Sequence, residues 1–539
     1  GEPSVELRAA RKDSRLMADR IRLAWEDFVA AECARGPVLL VLEDVHWADA
    51  ASIDFVDGAL RRMQNGPFMV LALGRPETLD VFPALFRSRD AQEIRLGPLS
   101  RRAGERLVRE VLGPARPDAD VAALVDRAAG NPFYLEELIR ASAEGSVATL
   151  PGSVRAMIEA RLAVLDPTAR RIVRAASVFG QTFWRGGVRA ILGGDVSAEA
   201  IDERLADLVR RELCARTPLP RFADEVEYAF RHALLRDAAY ATLSEEDGRL
   251  VHGLAAEWLD SAGERRPGVV AEHFERGGAP ERAAPGYVRA AEQALESNDP
   301  LAAVRWTDRA IACGVAGEAH GRALWIQAEA HNWHGSLAEA ERAALEARTK
   351  LPRGSATFFA ALGEAAVASA RGGHLETLLA LVPDLLHPAD GEEARERQVR
   401  AVSEAAIQML FRARFAEADA LFAWLDHGVT RLVDLDPKVA GPVAEACGWR
   451  ALFAGDPALY LALSSTAAGA YEGIGDVRAG ARALINVGYG SMQVGDFEGA
   501  ERSLREALRA TERLGGAAVV AKHNLGLALA HLGRLDEAI

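Results

Sequence analysis

The sequence predicts a mainly α-helical protein that has an incomplete α/β layer near its N-terminal end and an α-solenoid of helical hairpins towards its C-terminal end. Two observations predict this fold class: a pair of apolar, β-forming runs separated by a helical stretch, and a glycine-containing turn that recurs along the second half. At 539 residues the chain exceeds what one hydrophobic core usually serves, so we expect several domains.

Composition excludes several classes of protein. Hydrophobic residues make up 49% and charged residues 26%, and no run of about 18 apolar residues occurs, so we expect no membrane span. The net charge of -14 argues against direct nucleic-acid binding, which depends on neutralising phosphates with basic side chains. The cysteines lie far apart without a CxxC pair, which fits a reducing cytoplasm: Cys33, Cys214, Cys313 and Cys447.

The first hundred residues alternate between helical and strand patterns. Apolar residues at steps of three and four predict a helix over residues 14–34, and the run Val38–Leu42 is typical of a parallel strand buried on both faces. A helix over residues 50–63 then leads to a second strand, Phe68–Leu73, and Glu93–Leu96 resembles a shorter third strand. This alternation indicates an α/β layer.

The middle of the chain predicts short helices joined by glycine and proline. One β-like interruption, Glu225–Phe230, breaks the helical pattern. Short helices with a single β interruption are typical of a winged-helix domain, which we expect between residues 151 and 262.

A turn of the form Gly-polar-apolar divides the remaining helices at regular distances. Both Gly335 to Gly373 and Gly495 to Gly533 span 38 residues, and such a period is typical of stacked helical hairpins of the tetratricopeptide (TPR) kind. Small alanine and glycine residues should let the paired helices approach closely. Since the chain stops at Ile539 inside a repeat helix without a polar capping helix, we expect the natural protein to continue. The predicted turns are Gly335-Ser336-Leu337, Gly373-His374-Leu375, Arg414-Phe415, Gly455-Asp456-Pro457, Gly495-Asp496-Phe497 and Gly533-Arg534-Leu535.

Two acids, Glu43 and Asp44, directly follow the first predicted strand. A buried strand holds such carboxylates at the carboxyl edge of a sheet, where ligands bind in open α/β folds. One carboxylate can position Mg²⁺ through water and the other can orient an attacking water molecule. The alternative is that two acids simply end a strand at a solvated edge.

Three segments, in order along the chain, resemble signatures of the STAND class of signal-transduction ATPases, relatives of the AAA+ family. Val38–Asp49 resembles the Walker B segment, Gly74–Glu77 resembles the sensor 1 segment, and Gly130–Leu138 resembles the signature of the helical lid. The resemblance implies ATP or ADP with Mg²⁺ as cofactors, with Glu43 and Asp44 as the catalytic pair and Glu43 holding the metal through water. It also implies that Arg75 faces the γ-phosphate and that Pro132 packs near the adenine. The alternatives are that Arg75 is an ordinary surface arginine and that Pro132 only interrupts a helix.

A fourth segment, Phe230–Asp237, resembles the winged-helix segment whose histidine reaches the β-phosphate of the bound nucleotide in related STAND proteins. His232 is the candidate for that role, and a purely structural histidine is the alternative. His46 and Trp47 are expected to pack against the sheet.

The phosphate-binding loop of this family is missing from the sequence. A Walker A motif reads G-x-x-x-x-G-K-[ST], and none of the four lysines follows a glycine. Because the chain also begins without methionine, truncation explains this absence better than degeneration, although degeneration stays open. We therefore expect the 539-residue chain to be inactive as an ATPase, whereas its parent protein hydrolyses ATP.

These inferences predict an ATP/ADP-controlled signalling switch whose repeats bind a protein or peptide and which regulates a linked effector. The segments look most like bacterial proteins with a serine/threonine kinase domain. One alternative is a transcriptional regulator, but the candidate recognition helix Ser197–Leu213 carries five acids against three arginines. Another is an inert TPR scaffold. The predicted domains are 1–100 (partial P-loop ATPase sheet), 101–150 (helical lid), 151–262 (winged helix) and 263–539 (TPR-like repeats).

Overall fold

The computed structural model is mainly helical, as predicted, and forms two compact units. The first unit comprises Gly1–Asp90 together with Ala284–Ile539, and the second comprises Ala91–Ala283. The residues described are 4, 7, 10, 11, 13–89, 91–143, 154–428, 436–513 and 519–538.

The first unit begins with a small α/β layer. Strands β1 and β2 pair in parallel, with Val38 opposite Phe68. One face of this pair is covered by the first two helices, whose buried Val29, Cys33 and Ala59 form a small core. Asp13 and Asp49 cap these helices by accepting hydrogen bonds from backbone N–H groups of their first turns. The elements are α1 Ser14–Arg35, β1 Val38–Leu42, α2 Ala50–Arg62, β2 Phe68–Ala72 and α3 Thr78–Val81.

The opposite face of the two strands is uncovered, so the prediction of strands buried on both faces is wrong here. Leu39 is 57% exposed and Met69 is 62% exposed, because α1 and α2 lie on the same face. The predicted strand Glu93–Leu96 is also wrong. That segment has no partner strand within the described ranges, and Ile94 and Leu96 are exposed. An apolar alternation does not form a strand without a ladder partner.

The second unit combines ten helices with a three-stranded antiparallel sheet of order β3-β5-β4, as far as residues 91–143 and 154–283 show. The prediction of a single β interruption, Glu225–Phe230, is therefore incomplete, because two three-residue strands pair with β5. The predicted boundary at residues 150–151 lies outside the described residues. The elements are α4 Arg101–Leu112, α5 Asp118–Ala128, α6 Pro132–Ala143, α7 Val154–Ala163, α8 Pro167–Val178, β3 Thr182–Trp184, α9 Arg185–Leu192, α10 Ala198–Arg210, β4 Cys214–Arg216, β5 Glu227–Phe230, α11 Ala233–Tyr240, α12 Glu245–Ser261 and α13 Pro267–Arg276.

The first unit continues as a series of helices, and each of the six predicted turns joins two of them. Five turns place glycine in the left-handed region, such as Gly335 with φ 87° and Gly495 with φ 84°, and Ala413 takes that place with φ 55° before Arg414. The helices are α14 Pro280–Glu296, α15 Pro300–Ala312, α16 Gly317–His334, α17 Leu337–Lys350, α18 Ala356–Gly372, α19 Leu375–Ala380, α20 Val382–Leu385, α21 Glu392–Leu410, α22 Phe415–Gly428, α23 Pro437–Phe453, α24 Pro457–Ile474, α25 Val477–Gln493, α26 Phe497–Arg513, α27 Val519–His531 and α28 Leu535–Ala538.

Small residues bring the paired helices close together, as the composition predicts. A Cβ atom at Gly488 of α25 would lie 2.5 Å from Cγ of Leu504 in α26, and one at Gly441 of α23 would lie 2.7 Å from Cε1 of Tyr471 in α24. Neither contact leaves room for a methyl group. Glycine at these positions therefore sets the distance between neighbouring helices.

Candidate functional site

The carboxyl ends of β1 and β2 bring two of the predicted segments together. The N–H of Leu73 donates to the carbonyl of Leu42 over 2.7 Å, which continues the parallel ladder past both strands. Glu43 and Asp44 follow β1, and Arg75 follows β2 by three residues. All three predicted site residues of the α/β layer therefore lie at the same edge of the sheet.

An extra residue is inserted where the acids stand. In a regular parallel ladder the next donor to the carbonyl of Leu73 would be residue 44, but Val45 donates instead, over 3.0 Å. Asp44 adopts φ 53° and ψ 43°, a left-handed conformation that aspartate tolerates better than most residues. This bulge turns the chain sharply between Glu43 and Val45.

Both carboxylates are exposed, and within the described chain neither forms a hydrogen bond or an ion pair. Carboxylate oxygen is the ligand that Mg²⁺ prefers, and Mg²⁺ commonly takes one or two protein carboxylates plus water and phosphate oxygens. The described residues contain no cluster of three or more His, Cys, Asp or Glu side chains that would hold a metal alone. A pair of free carboxylates therefore fits Mg²⁺ when water and phosphate supply the remaining oxygens.

Arg75 is an exposed cation at this edge, and among the residues described it has no ion-pair partner. The preceding Gly74 is needed for packing, because the hydroxyl of Thr78 occupies the space that a Cβ would fill. Thr78 is buried, and its hydroxyl has no hydrogen-bond partner. The guanidinium of Arg75 is thus available to an anion at the sheet edge that also carries Glu43 and Asp44.

His46 and Trp47 differ from the expectation that both pack against the sheet. Trp47 is 59% exposed, and its ring centroid lies 4.6 Å from that of His46. Both ring nitrogens of His46 are buried without a hydrogen-bond partner. The short 3₁₀ turn formed by Val45–Trp47 is too tight to direct both rings inwards. The burial of the His46 ring agrees with the expectation, whereas the lack of a hydrogen-bond partner for its nitrogens had no signal in the sequence.

The lid-like segment of the second unit is a tight turn that starts helix α6. Gly130 has φ 78°, and a Cβ there would lie 2.7 Å from Pro98, so both conformation and space require glycine. Asn131 caps the helix by accepting a hydrogen bond from the N–H of Tyr134 over 3.0 Å. Pro132 takes the first helical position, which suits its fixed φ, and is exposed.

His232 lies between β5 and α11 and contacts this lid-like segment. Its ring packs edge-on against the ring of Phe133, with centroids 4.4 Å apart. Burial lowers its pKa below 6.5, despite the nearby carboxylates of Glu136 and Glu137, so the imidazole is neutral near pH 7. Its Nε2 atom is buried without a hydrogen-bond partner, which leaves it available to a ligand.

A buried ion pair, absent from the sequence prediction, fixes the lid-like segment to the next helix. Glu137 is 3% exposed, and both its oxygens accept hydrogen bonds from Arg161 of α7 over 2.8 Å. Arg161 also donates to the carbonyl of Arg211 over 2.9 Å. Breaking such a pair leaves a buried charge without compensation, so Glu137 stabilises the position of α6 against α7. An acid in a helical run gives no sequence signal of burial.

The predicted site residues therefore fall into two groups. Glu43, Asp44 and Arg75 share one sheet edge in the first unit. In the second, His232 packs against Phe133, the residue that follows the exposed Pro132.

No protein-family model matches the chain. An uncharacterized protein of Rhizobium meliloti (strain 1021) is 27% identical over 340 residues, which cover 57% of this chain. The chain spans 31% of that relative's length.

The chain is also similar to a solved structure, that of a Signal Transduction ATPase with Numerous Domains (STAND) protein with a tetratricopeptide repeat sensor from Pyrococcus horikoshii. The two overlap with a TM-score of 0.39 at 12% identity, over 96% of this chain and 81% of that one. An overlap this low does not establish a common fold. Separately, none of the described helices is long and apolar enough to cross a membrane.

Proposed function

We propose that the chain is the switch and sensor region of an ATP/ADP-controlled signalling protein. The observation that carries this proposal is the bulged end of β1, where Glu43 and Asp44 present two unpaired carboxylates at the same sheet edge as the free guanidinium of Arg75. Two carboxylates and one cation at a parallel sheet edge suit a nucleotide whose phosphates are bridged by Mg²⁺.

Each residue has a distinct role in this proposal. Glu43 holds the water shell of Mg²⁺, Asp44 orients the attacking water molecule, and Arg75 faces the γ-phosphate. When bound, Mg²⁺ neutralises charge on the phosphates. Pro132 packs near the adenine, and the neutral His232 donates a hydrogen bond to the β-phosphate. The buried, unpartnered Nε2 of His232 supports this last role.

The uncovered face of the two strands also supports an ATPase core. Leu39, Val41, Met69 and Leu71 leave an apolar surface exposed, and parallel sheets are normally covered on both faces. In a P-loop domain, further strands and helices cover such a surface and supply the glycine-rich loop. The 539 residues contain no such loop, so the proposal requires it elsewhere in the natural protein.

In this proposal the domain with the antiparallel sheet and the helical hairpins have signalling roles. Helices α8–α10 with the antiparallel sheet β3-β5-β4 fit a winged helix that packs differently in the ATP and ADP states. The hairpins of α14–α28 fit TPR-like repeats that bind a protein or peptide. The output is exerted through a linked effector, for which we propose a serine/threonine kinase.

A calorimetric titration tests this proposal. ATP with Mg²⁺ is titrated into the 539-residue chain and into a longer chain extended upstream in the coding sequence. We expect weak binding without the loop and micromolar or tighter binding with it, because backbone N–H groups and a lysine of that loop hold the phosphates. Weak binding by both chains, or the absence of a phosphate-binding loop upstream, would overturn the proposal.

A further inference from the structure

Helix α1 belongs to two parts of the first unit at once. Its second half packs on the α/β layer: Trp25 Nε1 donates to the carbonyl of Phe55 over 3.0 Å, and Val29 and Cys33 are buried beside Val38. Its first half lies on the repeats. With 22 residues the helix is about 33 Å long. One rigid element therefore connects the repeats to the strand that directly precedes Glu43 and Asp44.

Two ion pairs fix the start of α1 to the repeats. The carboxylate of Asp13 lies 2.7 Å from Arg400 of α21. Asp19, only 6% exposed, accepts two hydrogen bonds from the guanidinium of Arg478 in α25, over 2.6 and 2.9 Å. This second pair is bidentate, so it fixes the relative orientation of the two side chains as well as attracting them.

Apolar contacts fill the space between the two ion pairs. Leu16 of α1 is buried against Tyr471, Ile474 and Ala483 of α24 and α25. The guanidinium of Arg20 occupies the space that a Cβ at Gly475 would fill. Because Gly475 has no side chain, the guanidinium of Arg20 fits against that turn.

A cation–aromatic contact extends this surface to α16. The guanidinium of Arg15 lies 4.8 Å from the ring centroid of Trp333. We call the surface formed by Trp333, Arg400, Arg478 and Tyr471 the α1 groove.

The α1 groove has the chemistry of a site for an amphipathic helix that carries acids and arginines together. Arg400 and Arg478 pair with the two acids, and Glu329 and Glu364 of the repeats interact electrostatically with Arg15. The two arginines of the groove lie on different repeat helices, α21 and α25, and an apolar surface separates them. Arg400 is 52% and Arg478 is 44% exposed even with α1 in place, so both stay accessible to a competing carboxylate. Helices that bind in grooves use this combination of apolar anchors and flanking charge.

We propose that the α1 groove is the ligand site of the repeats and that residues 13–20 occupy it as an internal ligand. The partner is a protein segment that forms an amphipathic helix with two acids about six residues apart, the spacing of Asp13 and Asp19. Its binding displaces the start of α1 and loosens the attachment of β1. This inference rests on the proposed function, since it names the signal that the switch receives.

A peptide-binding experiment tests the groove. The probe is a fluorescent synthetic peptide with the sequence of residues 10–24, and its anisotropy is measured with the 539-residue chain. Asp13→Asn/Asp19→Asn should bind the peptide at least about tenfold more tightly than wild type, because two charge-assisted contacts no longer hold α1 in the groove. Adding Arg400→Glu/Arg478→Glu should abolish that binding. Glu32→Gln, which removes an exposed acid at the other end of α1, should behave as wild type.

A charge exchange separates docking from misfolding. Asp19→Arg/Arg478→Asp restores opposite charges, so it should bind the peptide as weakly as wild type. Equal peptide affinity for wild type and Asp13→Asn/Asp19→Asn, or retained affinity after the arginine substitutions, would overturn the groove. Hydrogen exchange of the Val45 amide should accelerate in Asp13→Asn/Asp19→Asn, and an unchanged rate would refute the link to β1. Neither readout uses nucleotide, so failure of ATP binding would count against the proposed function alone.

Discussion

The ring of Phe133 packs edge-on against the imidazole of His232, with 4.4 Å between their centroids. The two residues are 99 positions apart in the sequence, and each belongs to a segment that resembles a nucleotide-binding signature. Their contact joins the start of α6 to the junction of β5 and α11. Movement of either element therefore changes the environment of the other.

This contact gives the first prediction. In a longer protein that contains the phosphate-binding loop, His232→Ala should release ADP about tenfold faster, because a hydrogen bond to a charged group contributes roughly 1.5–3 kcal/mol. The control is His523→Ala, which removes an exposed histidine in the repeats. ADP release is measured by stopped-flow fluorescence. A lower melting temperature with an unchanged release rate would instead assign His232 a packing role against Phe133.

The bulge at Asp44 gives a second prediction. Asparagine tolerates a left-handed conformation nearly as well as aspartate, whereas a β-branched residue does not. Asp44→Val should therefore destabilise the turn by about 1–2 kcal/mol relative to Asp44→Asn. Hydrogen exchange of the Val45 amide, which bonds to Leu73, measures this locally. Equal exchange rates in the two variants would show that φ at residue 44 is not positive.

A buried histidine pair gives a pH prediction. Nδ1 of His252 lies 2.9 Å from Nδ1 of His273, and the hydroxyl of Tyr240 lies 2.8 Å from Nε2 of His252. Burial, with the Arg276 charge, lowers the pKa of His252 to about 4. Burial, then His252 and Arg276, lower the pKa of His273 to about 3. Both rings are neutral near pH 7, and one donates the shared hydrogen bond.

Because the folded-state pKa values are depressed, the folded state binds fewer protons than the unfolded state below pH 6.5. The stability contributed by the pair is present above pH 6.5. It is lost as pH falls towards 4 for His252 and towards 3 for His273, by up to about 1.4 kcal/mol per pH unit for each histidine. Urea unfolding of α12 and α13, followed by hydrogen exchange in the full chain, should show this slope. His273→Gln should reduce it by about half, and an undiminished slope would place the titration elsewhere.

Close helix packing gives a fourth prediction. Gly488→Ala should destabilise the α25–α26 hairpin by about 1–3 kcal/mol, because the new methyl group would overlap Leu504. The matched control is Gly469→Ala in α24, where a Cβ meets nothing within 4 Å. That substitution should stabilise its helix by up to about 1 kcal/mol. Urea unfolding with local hydrogen exchange compares the two, and equal effects would exclude steric packing at Gly488.

Local patterns predicted the parts of the fold that depend on nearby residues. Apolar periodicity located α1, and a continuous apolar run located β1, each to within a residue or two. The glycine turns located the hairpins, because a left-handed helix end favours glycine. The three-residue strands β3 and β4 were not predicted, since such short strands are stabilised by pairing with β5 rather than by their own sequence.

The site was only partly predictable. An apolar strand followed by two acids indicated where Glu43 and Asp44 lie, but nothing in the sequence indicated the inserted residue in the ladder. Contacts between distant residues could not be predicted either. Asp19 and Arg478 are 459 positions apart, and the sequence pattern of α1 is the same whether Asp19 faces solvent or pairs with an arginine. Single-sequence patterns report which residues are apolar and not which surfaces meet.

The most direct test of the account is ATP turnover by Asp44→Asn in the longer protein that contains the phosphate-binding loop. We expect turnover to fall by about 10²-fold or more while ATP binding is kept, because one positioned acid–base or electrostatic contribution is lost. Glu43→Gln should instead weaken Mg²⁺-dependent binding. If Asp44→Asn instead kept turnover within about threefold of wild type, the decrease would be far smaller than the usual effect of losing such a group. That result would contradict the assignment of this edge as the catalytic site.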